Sequence, residues 1–545
     1  MGAGRTQAAR AASPDARAAL PQLPRRARPV GRRPPRGLRL PPHREPGPSP
    51  LPAALVERVP ITPAGRNTAR PRKAGRSRSL SNVSTTAHRE SEGVAAAAAP
   101  LPEARGGRLL GHARELQEDT IAALHEIAEG SAGVMGFRIG RSPAVVVSSA
   151  ATAREVLIDR AADFGRGRRQ TRALTPLMGK GLLTSEGELH NRQRRLVVPH
   201  FSPRRIPKHA DAIVAVAESA VKRWGSGADV DLVVEMNALT MDIVTKLLFS
   251  ASTRENQSIA RAITEAFDWE MHAITSAVAL PIWVPTPRNL RARRNIDTFR
   301  GWIAGFIRQR QAANSAESPG ELPQDFLSDL MGARYEDGGT MTEELLLDEV
   351  LTAWGAAQET SADAQAWTLY LLARHPEILE RVRAEVDRVL GKRPVRYEDL
   401  AQLPYCLRAF KEAMRLYPPA AVIPRQAIRD TVIGGYAVPA GTMVFINAFS
   451  LHRRREVFPD PERFDPDRFT REAEKALPKG AYLPFGTGSN VCPGSHLAMM
   501  EGHLLTALLN QRLDIELLPQ GSDVKPELLV NLRPSPGVRA RVSPR

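Results

Sequence analysis

The sequence contains very little cysteine. Cys406 and Cys492 are the only two in 545 residues. Two thiols are too few for a disulfide framework, so the composition indicates a reducing compartment, and we expect the protein in the cytoplasm. Because there are so few thiols, the surroundings of each cysteine can be considered individually.

Long apolar runs are absent as well. A membrane-spanning helix needs roughly 18 or more consecutive apolar residues. The longest candidate, residues 94–101, is short, alanine-rich and closed by Pro100 and Pro102. We therefore expect no membrane span. Hydrophobic residues still make up 42% of the chain, which is enough for a large buried core.

Acidic and aromatic residues are scarce in the first 92 residues, which are rich in proline, arginine and alanine. The first 100 residues contain 18 arginines and 1 lysine against 5 acidic residues, so they carry most of the net charge of +17. Proline-rich segments cannot form regular helix. We expect residues 1–92 to be a disordered basic extension and residues 93–545 to form one folded domain.

The extension itself has two alternative interpretations. An arginine-rich, acid-poor start is typical of an organelle transit peptide, although the prolines argue against the amphipathic helix that such peptides form. A basic tail can also bind nucleic acid, but this one has no aromatic residues to stack on bases. We therefore expect no nucleic-acid partner.

Helical periodicity dominates from about Leu101 onward. A short strand is predicted at 144–147, and further strands with turns lie within 431–446. Because helices outnumber strands, the predicted fold class is mainly α with a smaller β-rich part. The apolar spacing predicts helices over residues 115–128, 210–224, 237–249, 256–269, 296–314, 342–374, 376–390, 405–416 and 495–511.

The residues around Cys492 favour a reactive thiolate. Glycines at 486, 488 and 494 permit backbone conformations that other residues resist. The helix predicted at 495–511 begins just after the cysteine, and unpaired N–H groups at a helix start lower the pKa of a thiol. A thiolate is a strong iron ligand, and on a heme it promotes O–O cleavage.

The segment from Phe485 to Gly494 resembles the cysteine-ligand loop of the cytochrome P450 family, F-x-x-G-x-x-x-C-x-G. It matches at Phe485, Gly488, Cys492 and Gly494. The resemblance implies a heme b cofactor with Cys492 as the axial iron ligand. The family usually carries Arg or His two residues before the cysteine, where it binds a heme propionate. This sequence has the uncharged Asn490 there.

A polar Glu-Thr-Ser group interrupts the apolar face of the long helix predicted at 342–374. A threonine within a helix can donate to the carbonyl four residues back, so Thr360 should bond to Ala356 and loosen that turn. The segment resembles the family's oxygen-activation motif, A/G-G-x-D/E-T-T/S, with Ala357 in place of the usual glycine. The resemblance implies that Glu359 and Thr360 relay protons during oxygen activation.

Glu412 and Arg415 lie three residues apart on one predicted helix and can pair. They resemble the family's E-x-x-R motif. The resemblance implies that Arg463, in a meander rich in Pro, Arg and Phe, completes the group and locks the meander beneath the cysteine loop. Buried arginines suit this structural role because they bind carboxylates and carbonyls at several points.

Three further residues match positions at which the family contacts the heme propionates. His190 and Arg194 are one helical turn apart and resemble the family's Trp/His-x-x-x-Arg pattern. Arg425, after a double proline, matches the other propionate arginine. Since position 490 is uncharged, these three should supply most of the positive charge. Arg192 and Arg195 are expected on a solvated face.

The resemblance covers roughly residues 101–543 and implies the cytochrome P450 fold. It also implies a monooxygenase that uses O2 to hydroxylate or epoxidise an apolar small molecule, such as a fatty acid, terpenoid or polyketide. The substrate cavity is expected among residues 168–183, 267–283, 354–360 and 421–423. We expect a monomer that takes electrons from a separate ferredoxin or flavodoxin with its reductase.

Two other functions are compatible with much of this pattern. A peroxygenase would use hydrogen peroxide without a redox partner, but such relatives lack the acid–alcohol pair formed here by Glu359 and Thr360. A heme-binding sensor without catalysis would be consistent with the two departures from the family pattern, Ala357 and Asn490.

Overall fold

The computed structural model describes residues 98–107, 110–224, 227–252, 257–275, 280–314, 323–521 and 523–545. All of these belong to the unit Arg78–Arg545. The extension predicted over residues 1–92 lies outside the described residues, so its disorder stays a prediction.

The described residues form sixteen α-helices, which confirms the predicted fold class. A π-helical turn, Glu155–Asp159, follows the third of them. In chain order the helices are α1 (Ala113–Glu118), α2 (Thr120–Glu129), α3 (Ala150–Arg154), α4 (Arg168–Met178), α5 (Gly187–Val197), α6 (Ala210–Arg223), α7 (Leu232–Phe249), α8 (Gln257–Thr275), α9 (Pro287–Asn314), α10 (Phe326–Gly332), α11 (Glu343–Arg374), α12 (Pro376–Leu390), α13 (Pro404–Leu416), α14 (Ala448–Leu451), α15 (Arg471–Ala476) and α16 (Ser495–Arg512).

The predicted helices occur where the apolar spacing places them, with ends shifted by a few residues in most cases. The prediction of one helix over 115–128 was wrong, because the chain forms α1 and α2 there. Asp119 separates the two helices: it ends α1, and its carboxylate accepts the Ala122 N–H at 3.0 Å to cap α2.

Twelve short strands make up the smaller β-rich part. They form sheets in the orders β1-β2-β8-β5-β3, β4-β12-β9, β10-β11 and β6-β7, and β2 pairs with β8 in parallel while the other pairs are antiparallel. The strands are β1 (Val134–Ile139), β2 (Ser142–Val147), β3 (Phe164–Arg166), β4 (Ala228–Asp231), β5 (Val422–Ala427), β6 (Thr431–Ile433), β7 (Tyr436–Val438), β8 (Met443–Asn447), β9 (Leu513–Leu517), β10 (Lys525–Leu528), β11 (Leu532–Ser535) and β12 (Arg539–Pro544).

Helix α11 runs through the centre of the core. Trp354 and Trp367 on this helix are both fully buried, each within one of the two largest apolar clusters. The helix packs against α7, α13 and α16. Its middle is thereby held between elements that belong to different parts of the sequence. Within the described ranges, no helix is long and apolar enough to cross a bilayer.

A buried ion pair joins α13 to the meander. Arg415 Nε and Nη2 donate to the two carboxylate oxygens of Glu412 at 2.7 and 2.8 Å, and both side chains are 0% exposed. Arg415 also donates to the backbone carbonyls of His452 and Arg463, at 2.9 and 3.2 Å. All three nitrogens of the guanidinium are therefore satisfied.

The predicted role of the Arg463 side chain was wrong. Phe464 takes the buried position in the meander, so the neighbouring Arg463 is exposed and contributes its backbone carbonyl alone to the ion pair. The additional cation is Arg468, whose Nε lies 3.4 Å from Glu412 Oε1. The Asp465 N–H donates to the same oxygen at 3.0 Å.

His452 connects this ion pair to the residues before the cysteine loop. Its Nε2 accepts the Leu483 N–H at 2.8 Å, and its Nδ1 lies 3.2 Å from the Arg415 carbonyl. Nδ1 must therefore carry the proton. Burial, and then the charge of Arg415, lower the pKa of His452 to about 3, so the ring is neutral. Leu483 precedes Phe485 by two residues, so the imidazole fixes the entry to the loop.

We expect Arg415→Ala to destabilise the fold by roughly 3–5 kcal/mol, because the Glu412 carboxylate would stay buried without its main partner. Thermal unfolding and heme content measure the effect, and the expected product is apoprotein or aggregate. The control Arg381→Ala removes an exposed pair with Asp467, worth at most about 1 kcal/mol. A folded, heme-loaded Arg415→Ala protein would contradict this role.

Candidate functional site

Cys492 lies between a 3-10 turn, Gly488–Asn490, and the start of α16. Its N–H donates to the Phe485 carbonyl at 3.0 Å, which closes the loop. The Phe485 ring packs against a buried cluster that includes Phe410 and Met414 of α13. The helix of the ion pair therefore also supports the cysteine loop.

The backbone requires glycine at two of the three glycine positions near Cys492. Gly486 and Gly488 have φ angles of +68° and +74°, and a Cβ at Gly488 would lie 2.2 Å from the Leu157 carbonyl oxygen. Gly494 has φ −80°, and a Cβ there would meet Cys492 Sγ at an ordinary 3.9 Å. The prediction of an unusual backbone conformation is thus confirmed for the first two glycines and wrong for Gly494.

The surroundings of Cys492 raise the pKa of its thiol. Burial is the main cause, and the Gly494 N–H and the Arg194 guanidinium oppose it. The N–H group at the helix start lowers this pKa, as expected, but desolvation of the charged form outweighs it. A coordinating metal ion deprotonates a thiol outright. A metal ion bound at Cys492 would supply the deprotonation that burial of the thiol opposes.

Thr360 and Glu359 lie in the middle of α11. Thr360 Oγ1 donates to the Ala356 carbonyl at 2.8 Å, which confirms the predicted hydrogen bond, and α11 remains helical through this turn. The Glu359 carboxylate accepts Asn531 Nδ2 at 2.9 Å. Asn531, from the turn between β10 and β11, therefore fixes the carboxylate beside the threonine.

A second contact joins this part of α11 to the helix that follows the cysteine. Ser361 Oγ donates to Glu501 Oε2 in α16 at 3.3 Å. Burial raises the pKa of Glu501 to about 7, and the bond from Ser361 opposes this rise. The Glu-Thr-Ser group and the cysteine loop are thus parts of one packed arrangement.

Two buried acids near Glu359 were not predicted from the sequence. Asp363 lies one turn further along α11, and Glu270 lies on α8. Burial is the main cause of a raised pKa for Glu359, Asp363 and Glu270, and the Glu359 charge raises the other two further. All three carboxyls therefore hold protons more readily than exposed acids do.

Three arginines and a histidine meet beside the cysteine loop. Strand β3 pairs with β5 so that Arg166 lies directly opposite Arg425. Burial, then Arg166, Arg194 and Arg425, lower the pKa of His190. Burial and then Arg166 lower the pKa of Arg425 to about 10. The predicted residues His190, Arg194 and Arg425 are therefore brought together, and Arg166 joins them.

Like charges directly opposite one another destabilise an antiparallel pair. Among the described residues, Glu186 is the one carboxylate that raises the pKa of any member of this cluster. It accepts the backbone N–H of Arg166 at 2.5 Å. One carboxylate cannot balance three guanidinium groups, so the cluster favours an anionic ligand with more than one charge.

Arg166 lies beside the residue at which the sequence departs from the cytochrome P450 pattern. Its Nη2 is 3.3 Å from Asn490 Oδ1 and 3.0 Å from the Leu182 carbonyl, and its Nε donates to the Ser185 carbonyl at 3.0 Å. Sequence reasoning missed Arg166 because β3 has three residues and shows no periodicity. The structure nevertheless places a guanidinium beside position 490.

Two other arginines behave as expected for a solvated face. Arg192 pairs with Asp337 at 2.6 Å and Arg195 lies 3.6 Å from Glu336, and the side chains of both arginines are more than 40% exposed. In the part of the chain that the structure describes, no group of three or more His, Cys, Asp or Glu residues could hold a metal ion. A metal carried by a tetrapyrrole needs fewer protein ligands.

Two of the segments expected to line the substrate cavity, 168–183 and 267–283, meet a third, 354–360, on α11. A Cβ at Gly355 would lie 2.9 Å from Met178 Cε and 3.0 Å from Phe267 Cζ. The Phe267 and Trp354 rings stack with centroids 6.1 Å apart. This apolar wall lies one turn before Glu359 on α11.

A comparison with protein families identifies the chain. The family model for cytochrome P450 matches residues 101–538. The chain belongs to the cytochrome P450 family. The crystal structure of the cytochrome P450DA heme domain superposes with a TM-score of 0.75 at 26% sequence identity, and the match covers 82% of this chain and 98% of that one. The cytochrome P450 fold is thus confirmed.

Curated relatives narrow the type of enzyme. Cyclooctat-9-en-7-ol 5-monooxygenase of Streptomyces melanosporofaciens is 32% identical, over 75% of this chain and 88% of its own length. Pentalenene oxygenase of Streptomyces avermitilis is 31% identical, over 80% of this chain and 96% of its own length. The protein is therefore an enzyme, a cytochrome P450 monooxygenase. Its family and fold imply a heme-thiolate cofactor.

In this cytochrome P450, a hydrogen bond to Glu349 of α11 holds the segment that follows α4. This contact should make the stability of the fold depend on pH. The Leu182 N–H donates to Glu349 Oε2 at 3.2 Å, and burial raises the pKa of Glu349 from 4.5 to about 8. The native state then binds a proton more tightly than the unfolded chain. Its stability should therefore fall as pH rises from about 4.5 to about 8.

We expect Glu349→Gln to flatten this fall, by at most about 1.4 kcal/mol per pH unit. Melting temperatures between pH 5.5 and 8 measure the difference. Glu344→Gln is the control, since Glu344 is exposed at the start of the same helix. Parallel melting curves for the wild type and Glu349→Gln would contradict the raised pKa.

Proposed function

We propose that this cytochrome P450 binds heme b through the Cys492 thiolate and inserts one atom of O2 into an apolar terpenoid. The observation that carries the proposal is the arrangement of two motifs. The Cys492 loop leads into α16, and α16 is tied through Glu501 and Ser361 to the turn of α11 that presents Thr360. The enzyme class follows from the family, and the terpenoid substrate rests on the relatives.

The cationic cluster supports the fit of heme. A heme carries two propionates, and the cluster contains Arg166, Arg194 and Arg425 with little carboxylate to balance them. Arg194 Nη2 donates to the carbonyl of Val491, next to Cys492, at 2.9 Å. The anionic edge of a heme bound at Cys492 would therefore lie beside these cations. His190, Phe485, Gly488 and Gly494 complete the proposed heme contacts.

A bound heme-thiolate supplies the activation of O2. The chain would contribute a proton path through Glu359 and Thr360. The Thr360 hydroxyl can pass a proton, and the Glu359 carboxyl can hold one because burial raises its pKa. Asn531 holds that carboxyl in position at 2.9 Å. Met178 and Phe267 pack against Gly355, one turn before Glu359, and supply apolar surface near the same part of α11.

The substrate class is proposed from the curated relatives together with this apolar wall. The two Streptomyces relatives are named for oxidation of cyclooctat-9-en-7-ol and of pentalenene. Both are compact terpenoid ring systems, which suit a site with the apolar side chains of Met178 and Phe267 at its wall. We further propose a ferredoxin or flavodoxin with its reductase as the electron donor. Reconstitution with each donor in turn, scored by product formation, tests that choice.

Replacement of Thr360 tests the proton path. We expect Thr360→Ala to lower the yield of oxidised terpenoid per electron and to raise hydrogen peroxide release, because proton delivery is lost. Product, NADPH and peroxide are measured together. Thr368→Ala is a matched control, since Thr368 makes the same type of bond to Ala364 on the same helix, at 2.7 Å. Equal coupling in the wild type and Thr360→Ala would refute the assignment.

Replacement of Arg166 tests the propionate site without any measurement of turnover. A charge-assisted hydrogen bond is worth about 1.5–3 kcal/mol, so Arg166→Ala should speed heme loss to apomyoglobin by about tenfold or more. Adding Asn490→Arg to the Arg166→Ala variant should restore heme retention, because residue 490 then supplies the missing positive charge. Arg192→Ala is the control. Unchanged heme loss in Arg166→Ala would exclude it from the propionate site.

A further inference from the structure

Glu270 interrupts the buried apolar stripe of α8. The stripe consists of Ile259, Ile263 and Ala266, at helical spacing, and Glu270 takes its next position. It is 1% exposed. A carboxyl at a core-facing position has to find a hydrogen-bond partner or lose free energy on burial.

The partner is missing for one of its oxygens. Within the described residues, Glu270 Oε1 is buried and accepts or donates no hydrogen bond. Such a group costs about as much as a lost hydrogen bond, and buried polar atoms in native proteins are nearly always satisfied. An oxygen left over in this way is suited to a ligand that brings its own polar group.

The position of Glu270 indicates which ligand that is. Phe267, one turn earlier on α8, meets Gly355 on α11. Glu270 follows Phe267 by one turn on α8, and Glu359 follows Gly355 by one turn on α11. The Glu359 charge raises the pKa of Glu270, which agrees with this proximity. Glu270 therefore lies at the end of the apolar wall, next to the turn that carries the proton path.

We infer that Glu270 is a specificity residue that hydrogen-bonds a hydroxyl group of the substrate, so that the enzyme prefers a terpenoid alcohol to a terpenoid hydrocarbon. The inference rests on the terpenoid function proposed above. A protonated carboxyl both donates and accepts, and burial raises the pKa of Glu270. An alcohol would satisfy Oε1, whereas a hydrocarbon would leave it unpaired and covered.

An enzyme with this preference would act after another oxygen-introducing step. Its substrate would already carry oxygen, supplied by a cyclisation that ends in capture of water or by an earlier hydroxylation. The Glu270 contact would hold that first hydroxyl, and oxidation would occur at a different carbon.

The test compares binding of a matched pair, the tricyclic sesquiterpene alcohol cedrol and the hydrocarbon cedrene, by the heme spin-state shift. We expect wild type to bind cedrol more tightly than cedrene. Glu270→Leu should weaken cedrol binding by about tenfold and leave cedrene binding within about threefold, as expected for one hydrogen bond. Glu270→Gln should retain part of the preference, because an amide also donates and accepts.

Glu265→Leu is the control on the same helix, because the Glu265 carboxylate already accepts a hydrogen bond from Asn295 at 2.8 Å. It should leave the cedrol-to-cedrene ratio unchanged. A carbon monoxide difference spectrum confirms that each variant is folded and loaded with heme. An unchanged ratio in Glu270→Leu, with spin-state shifts intact, would overturn the role of Glu270 alone. The absence of a shift with either terpenoid in the wild type would overturn the terpenoid function as well.

Discussion

A fully buried ion pair between Glu412 and Arg415 positions the rest of the site. Two charges without solvent are costly unless every donor and acceptor is used, and here the surrounding backbone supplies the remaining partners. The meander and His452, the residue directly after α14, are therefore held by α13. Through the neutral His452 ring, the same pair fixes Leu483 and the entry to the cysteine loop. A buried ion pair of this kind fixes the positions of the segments around it more than it stabilises the fold.

The two sides of the site have opposite electrostatic character. Arg166, Arg194 and Arg425 gather beside Asn490 with one nearby carboxylate, whereas buried carboxyls lie along α11 and α8. Each arrangement is unfavourable alone, since like charges repel and buried acids are desolvated. In the proposed function, the heme propionates would balance the charge of the arginine cluster. A substrate hydroxyl would supply a hydrogen-bond partner for the buried carboxyls. The raised pKa of the Cys492 thiol fits the same account, because iron would displace its proton.

The sequence predicts best what depends on short spacing. The bond from Thr360 to Ala356 and the pairing of Glu412 with Arg415 each involve residues within about one helical turn. Contacts between distant segments escaped prediction. Arg166, Asn531 and His452 reach the site from elements that carry no motif, and tertiary packing alone decides that they do.

The same limit explains the errors. Arg463 and Arg468 both lie in the meander, and the sequence could not show that Phe464 would take the buried position and turn Arg463 to solvent. The helix start just after Cys492 suggested a low thiol pKa, but burial of the thiol outweighs its effect. Asp119 acts as a cap because the chain turns there, which apolar spacing does not reveal.

The most direct test of the central claim is the carbon monoxide difference spectrum of the reduced protein, recorded for the wild type and for Cys492→Ala. A thiolate ligand gives the ferrous–carbon monoxide heme a strongly red-shifted Soret band. We predict that band in the wild type and its loss in Cys492→Ala. A Soret band typical of histidine-ligated heme in the wild type, or a red-shifted band that survives in Cys492→Ala, would contradict the assignment of Cys492 as the iron ligand.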